Sequence, residues 1–252
     1  MKIPFTREHG AYGMAITTFV IGAGIGGNLK LWTLTTLLAL ILFIMAKFPL
    51  SILLQGRNID RAMKKQFVFW AFVFIHTGFL LALPLLKNLQ SNKLFFAVTI
   101  VLAHIILYFL FVLVRKERTV LAEVAGISAI CISGILGYLS SGGEDIKSAV
   151  LIWIIPLLYY TASIFKVRSL ILKEEREFFK RINLLYPLFC SIIVLFMAVM
   201  NFVQYSVLLC LLPLVENILV NFKKERVDIR RTGWIEVAKS AIFGIILIFT
   251  LR

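Results

Sequence analysis

LWTLTTLLALILFIMAKFPLSILL, residues 31–54, is a run of 24 residues with one charge, Lys47, and no break before Pro49. A bilayer core of about 30 Å takes roughly twenty apolar residues in a helix that rises 1.5 Å per residue. The run is long enough to cross. QGRNIDRAMKK follows it at residues 55–65, with Arg57, Arg61, Lys64 and Lys65. Such clusters collect on the untranslocated side of a membrane.

Outward from this stretch, apolar segments of similar length recur at about 11–27, 67–86, 94–114, 119–140, 148–170, 183–202, 205–222 and 233–251. Composition agrees. The 252 residues are 60% hydrophobic and 16% charged, with a mean hydropathy of +0.94, against about 25% charged residues in a soluble domain. No Pro/Ser/Gly-rich linker and no internal repeat divides the chain. The expectation is an all-α polytopic membrane bundle of about nine transmembrane helices, forming one integral membrane domain over 1–252.

The net charge of +14 raises nucleic acid as a partner, but the cations sit in short clusters between apolar runs instead of forming a soluble basic face. Alternate gaps hold 20 of the Lys and Arg residues, and the intervening gaps hold Lys30, Lys87, Lys93, Lys147 and Arg252. The positive-inside rule then places the N-terminus in the cytoplasm and the C-terminus outside, in a bacterial inner membrane. Membrane lipids, not nucleic acid, are the expected partners. Cys131, Cys190 and Cys210 lie inside apolar segments without a C-x-x-C pair, and read as small hydrophobes. MKIPFTREHGAYG lacks a signal-peptidase pattern and is expected to be retained.

Charge inside a bilayer is expensive unless it snorkels, pairs or faces a wet cavity, so each such residue is a candidate for function. Lys47 stands about 12 Å from the end of its segment at 1.5 Å per residue, where it either lines a cavity or snorkels. Lys166 and Arg168, in YYTASIFKVRSL, read as ligands or as a topological collar. Arg7, Glu8 and His9 open the first segment beside Gly10 and Gly13, and form a more varied cluster than an anchor needs. Glu123 can pair with Arg118 or with a cation on a neighbouring helix. Glu216 with Asn217, and Glu236 with Lys239, read as structural pairs within the bundle. His76 and His104 each stand alone in an apolar run and read as interhelical hydrogen-bonders. The glycines at 22, 24, 26 and 27, and at 126, 134 and 137, read as close-packing positions. No H-E-x-x-H, G-x-S-x-G, P-loop or dinucleotide motif is present.

PFTREHGAYGM at residues 4–14 resembles the N-terminal signature of the YwiC-like family of bacterial membrane proteins, and Lys47/Pro49 with Val167/Arg168 extend that resemblance along the chain. A more distant resemblance is to the UbiA superfamily of intramembrane prenyltransferases. RKERTVLAEVAGISAICISGILGY is similar to their fourth loop and fifth helix in Arg115, Lys116, Arg118, Thr119, Gly126, Gly134 and Gly137. That resemblance implies nine helices and a site opening near the cytoplasmic face. It also implies two Asp-rich motifs holding magnesium on a prenyl diphosphate, and here the chain departs. Only Asn58 and Asp60 could belong to the first motif, and SIFKVRSLILKEE has no Asp for the second. Magnesium is therefore doubtful and no cofactor is expected.

The resulting expectation is a UbiA-like membrane protein that binds an anionic or isoprenoid-type lipid in a cytoplasm-facing basic cavity, in the manner of a divergent prenyltransferase. Its ligand-binding set is Arg7, Glu8, His9, Lys47, Arg118, Glu123, Lys166 and Arg168. The alternative is a non-enzymatic protein, either a transporter of a small anion or an assembly factor for a membrane complex.

Overall fold

The computed structural model describes residues 9–55, 60–88, 91–114, 119–171, 175–221 and 229–252. Their regular structure is entirely helical: α1 (His9–Gly26), α2 (Leu31–Leu54), α3 (Arg61–Asn88), α4 (Ser91–Leu113), α5 (Val120–Ser140), α6 (Ile146–Ile171), α7 (Arg176–Val199), a 3-10 helix (Tyr205–Leu214) running directly into α8 (Val215–Asn221), and α9 (Ile229–Leu251). Seven of these, α2 to α7 and α9, are long and apolar enough to cross a membrane. The first and eighth segments are apolar but shorter. Several helices begin before the apolar segment read from sequence, α3 at Arg61 and α7 at Arg176, because a helix keeps its polar first turn outside the apolar run.

Glycine brings α1 and α5 together. A methyl group on Gly22 would enter the Gly134 carbonyl, and one on Gly137 would enter the Phe19 carbonyl, so both backbones are already in contact. Thr18 and Ser133 hydrogen-bond across this seam, and Ser133 Oγ also donates to the Ala15 carbonyl at 2.9 Å. Gly126 differs from the other glycines read as packing positions: among the described residues no atom lies within 4 Å of its would-be Cβ. α2 and α3 pack on each other, α4 lies against α5, and α6, α7, the 3-10 helix and α9 complete the bundle.

The buried centre comprises Ile155, Tyr159, Tyr160, Cys190, Cys210, Leu214, Phe243 and Leu247. Phe72, Phe95, Ile106 and Phe249 are exposed large hydrophobics, as expected of a surface solvated by lipid. Cys131, Cys190 and Cys210 are buried free thiols.

The segments alternate in direction. One end of the bundle, the Lys166 end, gathers the starts of α1 and α9 with the close of α6. At the other, the Trp32 indole and the Thr33 hydroxyl both donate to the Ser140 carbonyl at 2.8 Å, and Asp145 caps α6. Its carboxylate accepts from Ser148 N at 2.8 Å, from Ser148 Oγ at 2.7 Å and from Lys147 N at 3.1 Å. The Ser148 hydroxyl, then the backbone amides and the Lys147 charge, hold the Asp145 carboxyl below its ordinary range. A depressed carboxyl stabilises the fold above its unfolded value, and that contribution fades as pH falls through the folded value. Asp145→Ala should therefore lower thermal stability by about 0.5–2 kcal/mol near neutrality. The gap from wild type should close on acidification, as scanning calorimetry in detergent at stepped pH would show.

Candidate functional site

Two features meet at the Lys166 end. The first is a cavity of about 640 Å³ between α1, α6 and α9, lined by Gly10, Gly13, Met14 and Thr17, by Tyr160 and Ser163, and by Gly233, Trp234, Glu236, Val237 and Ser240. Three of these are helical glycines. A helical glycine costs about 1 kcal/mol relative to alanine and usually repays it in close packing. Gly10, Gly13 and Gly233 do not pack: among the described residues nothing lies within 4 Å of a Cβ placed on any of them. What they leave is open volume along the cavity wall.

The second feature lies directly behind Glu236. Lys166 is 1% exposed, and its Nζ donates to Glu216 Oε2 and Glu236 Oε1, both at 2.6 Å. Lys239, also buried, donates to the same two oxygens at 3.0 Å and to Asn217 Oδ1 at 2.5 Å. Ser163 Oγ donates to the remaining Glu236 oxygen at 3.1 Å. Two ammonium groups and two carboxylates thus form a closed, neutral tetrad drawn from α6, α8 and α9. Asn183 Nδ2 donates to the Asn217 carbonyl at 2.9 Å, fastening the start of α8 to α7. A charge group in a membrane is tolerated when internally paired, and this one is.

Polar atoms around the tetrad are incompletely used. The Tyr159 hydroxyl and Asn217 Nδ2 are buried and meet no hydrogen-bond partner among the described residues. The Tyr160 hydroxyl lies near Thr17 and Ser240 without reaching good hydrogen-bond geometry with either. Buried donors of this kind ordinarily find water or a ligand.

The residues expected from sequence to share one site fall into separate places. Lys47 lies over the Tyr108 ring on α4, at 5.0 Å from its centroid, and is not among the residues that line the cavity beside Lys166. Lys166 is not an open cationic ligand, because two carboxylates hold it. Arg168 pairs with Glu123 at 3.0 Å, joining α6 to α5, and stacks over Phe179 at 5.4 Å; neither Glu123 nor Arg168 lines the cavity. Arg7, Glu8, Arg118 and Asn58 lie outside the described residues. His9 begins α1, and its side chain is also outside them. The cavity is nevertheless lined by Gly10 and Gly13, which follow Arg7–Glu8–His9 directly in sequence.

Asp60 is exposed, and its carbonyl accepts from Lys64 N at 2.9 Å in the first turn of α3. Among the described residues no group of three His, Cys, Asp or Glu stands close enough to hold a metal ion. His104 bridges helices as expected, through Nε2 to Ser128 Oγ at 2.8 Å, whereas His76 is exposed and stacks on Phe72 of its own helix. The Glu236–Lys239 pair was legible at its i, i+3 spacing. Its union with Lys166 and Glu216 was not, because the sequence separations of 50 and 70 residues carry no periodic signal.

Helices of membrane-spanning length around a buried charge cluster and a side cavity define a multi-pass membrane protein with an internal polar site. The chain belongs to the YwiC-like protein family, whose model matches residues 5–138, more than half of its length. The match covers α1 to α4 and α5 up to Tyr138, including Gly10, Gly13 and Lys47, and ends before Lys166, Glu216, Glu236 and Lys239. No curated protein and no solved structure matches the chain.

Proposed function

We propose that this protein binds an amphipathic, isoprenoid-type or similar lipid with an anionic or polar head, the head resting against Glu236 and the Lys166–Lys239 pair and the tail leaving along the apolar wall of Met14 and Val237. The carrying observation is the 640 Å³ cavity, held open by three non-packing glycines and ending on a buried ionic tetrad. A polar site under a mostly apolar wall is what a lipid head group needs. The reading takes the Lys166 end as cytoplasmic and the membrane as the bacterial inner membrane, because the cation-rich gaps fall at that end. Transfer chemistry on the lipid, as in a divergent prenyltransferase, belongs to the same reading; among the described residues, Glu236 and Tyr160 are the ionisable groups on the cavity wall.

Lipid analysis of the purified protein tests this. Gly13→Leu fills the cavity and should lose a co-purifying lipid that wild type retains, whereas Lys47→Ala, on a different wall of the bundle, should keep it. Identical lipid content in wild type and Gly13→Leu would remove the cavity as the site.

Topology is tested separately. Cysteines placed at Asn88 and at exposed Glu144 should react with an impermeant thiol reagent from outside the cell, and cysteines at Ala62 and Glu175 should not. Labelling of Ala62 from outside would reverse the orientation.

One observation favours the small-anion transporter as a second reading. A cavity of about 530 Å³, lined by Asp145, Lys147, Asn201, Tyr205 and Thr250 among others, sits at the opposite end of the same helices α6 and α9. Tyr159 stacked on Phe243, at 4.0 Å between centroids, is buried in the core they share. Anion flux into proteoliposomes that rises on Phe243→Ala would favour transport over lipid binding.

A further inference from the structure

An anionic head group has to reach two lysines that are already neutralised. The approach from the cavity is blocked by one group, the Glu236 carboxylate, which lines the cavity and whose Oε1 takes a hydrogen bond from both Lys166 and Lys239. The tetrad carries two positive and two negative charges. Adding a monoanion leaves one uncompensated negative charge inside the membrane, which is the costly situation that buried ionisable groups avoid by changing protonation state.

From the pairing and the cavity geometry we infer that the site binds an anion and a proton together: the oxyanion of the ligand replaces Glu236 between Lys166 and Lys239, and Glu236 takes up one proton through the cavity. The inference rests on the lipid-head reading above and adds its chemistry. The ligand class is an amphiphile whose head is a single oxyanion, such as a carboxylate or a monoanionic phosphate. The charges balance, with the tetrad returning to neutrality when one anion and one proton enter.

Glu236 suits the role better than Glu216. Among the described residues it is the one carboxylate on the cavity wall, and Ser163 is in place to exchange roles with it. Ser163 Oγ now donates to Glu236 Oε2 at 3.1 Å, and the same hydroxyl oxygen can accept from the protonated acid without moving. The ionisable groups that face Glu236 are Lys166, Tyr159 and Tyr160 from α6, Glu216 from α8 and Lys239 from α9. α1 contributes Gly10, Gly13, Met14 and Thr17 to the cavity and no described titratable side chain. The Tyr159 and Tyr160 hydroxyls and Asn217 Nδ2 meet no hydrogen-bond partner among the described residues.

The linkage has a definite sign. At a pH where unliganded Glu236 is ionised, binding consumes a proton, so affinity falls as pH rises, by about tenfold per pH unit for one proton.

The test uses dodecanesulfonate, whose charge is fixed across the working pH range, titrated into the full-length protein in nanodiscs of zwitterionic lipid. Calorimetry in two buffers of different ionisation enthalpy reads the number of protons taken up. Wild type should take up about one proton per bound anion. Glu236→Gln, nearly isosteric and permanently neutral, should bind with no proton uptake, with no pH slope, and more tightly than wild type at pH 8. Glu216→Asp, which keeps the tetrad neutral, should keep the proton uptake. Circular dichroism and gel filtration establish that each variant is folded.

Binding by wild type without proton uptake would overturn the inference and leave the lipid-head reading intact. Proton uptake that persists in Glu236→Gln, or is lost in Glu216→Asp, would overturn the assignment to Glu236. No binding to wild type at any pH, nor to Glu236→Gln, would bring down both the inference and the reading it rests on.

Discussion

Lys166→Met should destabilise the folded protein by about 3 kcal/mol, the lower end of the cost of breaking a buried pair, because the two carboxylates left behind are half-buried. Glu216 and Glu236 would retain only Lys239 between them, and the helices that carry them, α8 and α9, lose their shared link to α6. The loss should appear as reduced thermal stability in detergent and as a smaller monodisperse fraction on gel filtration. Removing a carboxylate as well restores the balance, so Lys166→Met with Glu216→Gln should recover part of the deficit. A double-mutant cycle returning simple additivity would mean that the tetrad is not one coupled unit.

The second large effect belongs to the α1–α5 seam. Gly137→Leu should cost about 3 kcal/mol or more, at the upper end of overpacking penalties, because its Cβ meets backbone that cannot swing aside as a side chain can. Gly22→Leu should behave alike. Gly126→Ala on the same helix is the control: with open space around its Cβ among the described residues, it should be neutral or gain up to about 1 kcal/mol from helix propensity. Equal losses at Gly126 and Gly137 would show that glycine acts through backbone flexibility instead of contact.

The membrane-spanning segments were legible because each is a long one-dimensional run, and apolar length is a property that a sequence displays directly. Residues 31–54 of the sequence reading coincide with α2. The close approach of α1 to α5 was legible in part, since the Gly22/Gly26 spacing marks it, but Gly126 carried the same signal without the contact. Site residues were harder. A charge in an apolar run shows that something must compensate it, and it does not show what. Lys47 and Lys166 look alike in sequence, yet one lies over Tyr108 and the other is enclosed by two carboxylates. The glycines of the cavity gave a signal that was read only as context for Arg7, Glu8 and His9. Their meaning depends on space between helices, which a sequence does not record.

The 3-10 stretch ahead of α8 also answers a question of reach. Seventeen residues of α-helix from Tyr205 to Asn221 would extend only about 26 Å, short of a hydrocarbon core of about 30 Å. Ten residues wound as 3-10, at about 2.0 Å each, followed by seven at 1.5 Å, extend about 30 Å. The tighter winding gives the segment a greater length than the same residues would have as α-helix. Glu216 stands two residues beyond the last 3-10 residue, so the pitch of this winding sets the height at which its carboxylate meets Lys166.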